Sequence, residues 1–126
     1  MLSLIFAAGV GALAGEASVP PPPAQWETIV EYPAEGLVSF NRKTLEIARE
    51  RRSVDARVDF HAARRGEVAK ILMRLEMDCS ARSFRTASAA GFDRDGARLY
   101  STDLSNRPFS PASGGGPMAR LLQRLC

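Results

Sequence analysis

Two sulfur atoms carry most of the chemistry this sequence offers. Its 126 residues include two cysteines, Cys79 and Cys126, and one histidine, His61. A thiol nucleophile needs a base beside it, and His61 sits in a charged stretch, His61 to Glu67, where spacing suggests no partner. Cys79 ends a run of residues alternating apolar and polar, on the apolar side. Cys126 ends an apolar helical stripe. Both therefore belong to surfaces that must be covered, and we read Cys79 and Cys126 as a disulfide. A bridged pair leaves no thiolate for catalysis. No G-x-S-x-G, H-E-x-x-H or phosphate-binding glycine loop occurs. Gly114-Gly115-Gly116 lacks the Lys and Ser/Thr of a phosphate loop and reads as a linker. Asp93-Arg94-Asp95-Gly96 lacks the ligands of a calcium loop and reads as a hairpin turn. We expect no catalytic residue, no metal ligand and no cofactor, and thus a protein that is not an enzyme.

The remaining reactive side chains are arginines. They cluster at Arg49, Arg51, Arg52 and Arg57, at Arg64 and Arg65, and at Arg82 and Arg85. Glu46, Glu50, Asp55 and Asp59 interleave with the first group. The plain reading is a solvated sheet face laced with cross-strand ion pairs. The sharper reading makes Arg49, Arg51, Arg52, Arg57, Arg82 and Arg85 a partner-binding patch. The formal net charge is +3 and only 7% of residues are aromatic. With so few rings for stacking, a nucleic-acid partner is not expected.

The elements that would position these residues follow from periodicity. Ile71, Met73, Leu75, Met77 and Cys79 alternate with Lys70, Leu72, Arg74, Glu76 and Asp78, which predicts a half-buried strand over Ala69 to Cys79. Ser53 to Phe60 alternates in the same way. Further strands are expected at Trp26 to Tyr32, Leu37 to Phe40, Arg82 to Phe92 and Ala97 to Thr102. Asn41 to Leu45 reads as a helical turn with an Asn cap. Asp103 to Gly116 reads as a long surface loop. Met118, Leu121, Leu122, Leu125 and Cys126 form one stripe of a helix opened by Pro117. So short a helix is marginal alone in water and must lie on the apolar side of the sheet.

The expected fold is therefore α+β: about six antiparallel strands, with a C-terminal helix on one face tethered by the Cys79–Cys126 bridge. Residues 1–14 carry no charge and end in Ala12-Leu13-Ala14, the pattern of a secretory signal peptide. Residues 15–25, with Pro20 to Pro23, read as an extended spacer. The folded domain is expected over residues 26–126. Glu16 stands where a lipidated cysteine would follow the cleavage site, so no lipid anchor is expected. Export suits a disulfide.

Four features together resemble a known family. Trp26 opens the first strand. Val38-Ser39-Phe40-Asn41 precedes the short turn. Asp78-Cys79-Ser80-Ala81-Arg82-Ser83-Phe84-Arg85 has the form acidic-Cys-x-x-Arg-x-aromatic-Arg. A Pro-initiated apolar helix ends in Cys126. The chain resembles the surface-adhesin protein E family of Gram-negative bacteria over residues 26–126. The resemblance implies a six-stranded antiparallel sheet with a disulfide-held helix. It implies a non-enzymatic, adhesin-like domain whose partner is a host matrix or envelope protein, and it allows a homodimer. The chain departs from the family in lacking the lipidation cysteine and in having Asn41 where Asp is frequent. Periplasmic residence as an accessory or structural envelope protein is therefore the alternative to surface display.

Overall fold

The computed structural model describes residues 26–112 and 114–126. The expected signal peptide and spacer lie outside them. The elements run β1 (Trp26–Tyr32), β2 (Gly36–Ala48), β3 (Arg51–Phe60), β4 (Lys70–Asp78), β5 (Ser83–Phe92), β6 (Arg98–Asp103), β7 (Ser110–Pro111) and α1 (Pro117–Leu125). Strands β1 to β6 lie side by side in sequence order, each antiparallel to the next, and β7 adds two residues against the start of β5. The protein is mostly sheet, so the α contribution is one nine-residue helix.

Alternation along β3 and β4 sorts their side chains by face. Val54 lies opposite Leu75, Ala56 opposite Met73 and Val58 opposite Ile71; on the other face Ser53 meets Glu76 and Asp55 meets Arg74. Phe40 continues the apolar row onto β2, opposite Ala56. Helix α1 covers this row. Leu121, Leu122 and Leu125 are buried with Ile29, Val38, Phe40, Val54, Ala56, Leu75 and Met77 in one core, while Met118 is half-buried beside it. Each buried leucine contributes about 1.5–3 kcal/mol through apolar area removed from water.

Three further attachments hold the helix. Cys79 and Cys126 are bonded, with Cα atoms 5.6 Å apart. Arg52 Nε donates to the Leu125 carbonyl at 2.9 Å, a cation placed at the negative end of a helix. From the helix side, Arg124 donates to the Thr28 carbonyl at 2.7 Å and to Glu27 at 3.0 Å. The arginines flanking the last turn therefore join it to β1 and β3.

The expected helical turn at Asn41 to Leu45 is not there. Strand β2 runs for 13 residues, and its register with β3 jumps between Asn41 and Glu46. Asn41 still does what a cap does. Its Oδ1 accepts from the Lys43 amide at 3.0 Å, and its carbonyl accepts from the Thr44 hydroxyl at 2.8 Å. These bonds shape a bulge, after which the strand resumes. The expected long loop after Asp103 likewise holds strand β7, which two residues with a proline do not announce. The fifth strand begins at Ser83, because Arg82 occupies the turn with φ 50°.

Candidate binding face

Asp55, Arg57, Arg74, Glu76 and Arg85 all fall on the sheet face away from α1, by the registers of β3, β4 and β5. Cross-strand neighbours of opposite charge pair along it. Arg74 reaches Asp55 at 3.0 Å and Glu46 at 2.9 Å, and donates to the Thr44 carbonyl at 3.3 Å. Arg85 meets Glu76 at 2.6 Å across strands, and within β3 Arg57 meets Asp59 at 2.7 Å.

The six arginines proposed as a patch are dispersed among different duties. Arg51 lies 3.5 Å from Asp78. Arg51 and Arg85 stack over Phe109, each guanidinium 4.7 Å from the ring centroid. Two cations on one ring pin the segment between β6 and β7 to this face. Arg57 lies 5.0 Å from the Trp26 ring centroid. Arg52 is on the helix side, where it holds the last turn and also donates to the carbonyls of Arg49 and Arg51. Arg49 and Arg82 sit in neighbouring turns, both with positive φ. Arg51 and Arg85 meet through Phe109, and the Arg52 guanidinium meets the backbone of Arg49 and Arg51. His61 Nε2 lies 3.5 Å from Glu31, at the surface.

Beside the Arg74 network lies a trough of about 280 Å³, lined by Trp26, Asp55, Leu72, Arg74, Ser88, Ala90 and Ser101, and by Ala56, Met73 and Ala89. Register builds it. Asp55, Arg74 and Ser88 form one cross-strand row; Leu72, Ala90 and Ser101 form the next. Small residues on β5 and β6 leave the space that longer side chains would fill. Trp26 Nε1 is buried and has no hydrogen-bond partner among the described residues. Periodicity placed Asp55 and Arg74 on a polar face, but only the pairing of four strands reveals the trough.

No family model, no curated protein and no solved structure matches this chain. Among the described residues there is no group of three or more His, Cys, Asp or Glu placed to hold a metal ion.

Among the described residues, three carboxylates titrate below their usual range. Glu27 is lowered chiefly by its hydrogen bond with Arg42, with the charges of Arg42 and Arg124 adding to it. Asp78 is lowered by the Ser80 hydroxyl first, then by the Ala81 amide, Arg51 and the Ser80 amide. Asp103 is lowered by the backbone and side chain of Ser105. A depressed folded-state value stabilises the fold above the unfolded-state pKa of about 4 and loses that contribution as pH falls through the folded value. We expect the melting temperature to fall as pH drops below about 4, and to fall less in Asp78→Asn than in the parent. Thermal melts across an acid series check this; identical acid profiles for the two proteins would contradict it.

Proposed function

We propose that this chain is an exported interaction domain, of the kind the protein E resemblance implies, that binds an extended segment of a partner protein along strand β6. The observation that carries the reading is the state of that strand. Among the described residues β6 pairs only with β5, and all six of its residues are exposed. Leu99 and Tyr100 stand 42% and 40% exposed on it. An unpaired edge offers a ready row of backbone donors and acceptors, and neighbouring side-chain pockets add selectivity. The other outer strand, β1, is less available, because it carries a register irregularity at Thr28 to Val30 and receives Arg124 from the helix.

The Cys79–Cys126 bridge is compatible with an oxidising compartment. Among the described residues no helix is long and apolar enough to cross a membrane. We read the partner as a host matrix or envelope protein.

A photo-crosslinking residue at Arg98 tests the proposal in native envelopes and matrix extracts, with one at Arg64 as control. The expected result is one partner captured from position 98 and not from 64, with Leu99→Lys weakening its binding by about tenfold, or 1.4 kcal/mol. Equal capture from both positions, or full binding by Leu99→Lys, would overturn the edge as the site.

A further inference from the structure

We infer that the trough bounded by Trp26, Leu72 and the Asp55–Arg74 pair binds a single neutral sugar ring, the terminal or internal unit of a saccharide. This goes beyond the partner-binding edge and shares only Ser101 with strand β6. Its size comes first. At about 280 Å³ the space sits just below the range of roughly 300–1,000 Å³ that holds drug-sized molecules. It is about the room one ring needs.

Charge comes next. Arg74 is the trough's one cation, and it is shared between Asp55 at 3.0 Å and Glu46 at 2.9 Å. The nearby Arg57 is engaged by Asp59 at 2.7 Å. With its guanidiniums answered in this way, the site offers no net positive charge to a phosphate or carboxylate. Within the lining Asp55 answers Arg74 one for one, and Glu46 lies outside it with its side chain 76% exposed, so an ammonium gains little. What remains is directional hydrogen bonding without net charge: carboxylate lone pairs, guanidinium N–H groups and the hydroxyls of Ser88 and Ser101.

Surface character comes last. Trp26, Leu72 and Ala90 are apolar and flank those polar groups in the same trough. A pyranose has the matching pair of properties, C–H groups that pack on apolar carbon and a rim of hydroxyls that both donate and accept. Carbohydrate hydroxyls suit Asp–Arg pairs, because each carboxylate oxygen and each N–H keeps its direction when the partner holds it. Binding without hydrolysis is expected. Asp55 and Glu46 accept from one guanidinium, which positions them together and does not separate an acid from a nucleophile across a bond.

The experiment uses Trp26, the one tryptophan in the sequence, as its reporter. The oxidised protein is titrated into the millimolar range with methyl glucoside, methyl galactoside, methyl mannoside and methyl N-acetylglucosaminide. Sorbitol and methyl lysinate serve as comparison ligands. The expected result is a saturable change in Trp26 emission with at least one pyranoside. Amide shifts in NMR spectra should then centre on Asp55, Leu72, Ser88, Ala90 and Ser101. Ser88→Arg, which fills the trough from β5, should weaken binding by about tenfold or more with circular dichroism unchanged. If that variant does not fold, Ala90→Gln replaces it. No saturable response to any pyranoside overturns the inference. So does equal binding of sorbitol, binding confined to methyl lysinate, shifts centred away from the trough, or undiminished binding by the filled variant. Ser88 lies on β5, away from the outer edge of β6, so failure here and failure of partner capture at β6 are separable.

Discussion

Reduction of the Cys79–Cys126 bond is expected to lower the melting temperature by on the order of 15 °C or more. The two cysteines are separated by 47 positions, and closing a loop of that length restricts the unfolded chain by about 4 kcal/mol in the chain-entropy description. That is a large share of the 5–15 kcal/mol that holds an ordinary domain together. Cys126 is exposed and Cys79 half-buried, so a small reductant can reach the bond. Loss of the bridge leaves the helix on its three buried leucines, Arg52 and Arg124. The Cys79→Ser, Cys126→Ser double variant should match the reduced protein. Both should bind a hydrophobic dye more readily than the oxidised form, because a loosened helix uncovers Phe40, Val54, Leu75 and Met77. Melting curves that coincide with and without reductant would show that the helix does not depend on its tether.

Phe40→Ala is expected to cost about 3–5 kcal/mol. Phe40 is fully buried on β2, where it faces Ala56 and lies in the core with the helix leucines. Its ring also receives Arg42 at 5.3 Å and Arg124 at 5.2 Å from its centroid. The change therefore leaves a cavity and removes the surface on which the arginine from the last helical turn rests. Phe60 makes the comparison. It lies on the same face two strand-pair rows away, but is 39% exposed, and Phe60→Ala should cost less than half as much. Urea midpoints at unchanged m-value measure both. Equal losses at the two positions would mean that the helix-covered row is not the centre of stability.

Much of this architecture was legible in the chain. The alternation of Ile71 to Cys79 and of Val54 to Phe60 is long enough to exclude other periods, and both segments pair as strands. Met118, Leu121, Leu122 and Leu125 gave the helix and its buried side. From these two faces the disulfide followed, since each cysteine sits at the edge of a surface awaiting cover. The continuation of strand β2 beyond Phe40 was hidden by its bulge. Arg42 and Lys43 break the alternation, and an asparagine whose side chain accepts a hydrogen bond two residues on looks the same before a helix as in a bulge. The trough was hidden for a different reason. Asp55, Arg74 and Ser88 come from three strands, and a slip of one residue in either register would turn the row to the opposite face. The arginine cluster illustrates the reverse case. Proximity in sequence suggested one patch, but the strand period sends Arg51 and Arg52 to opposite faces, where they do unrelated work.

The uncrossed order of β1 to β6 has a kinetic consequence. Each strand's neighbour is also next in sequence, so the layer can assemble by successive hairpins with little loop-closure cost. The helix alone must search far back, since its bonds to Arg52 and Thr28 span 73 and 96 positions. We therefore expect an early species with a formed layer and a bare greasy side. Its lifetime, set by how soon the last segment arrives, governs how readily nascent chains stick to one another or to a chaperone.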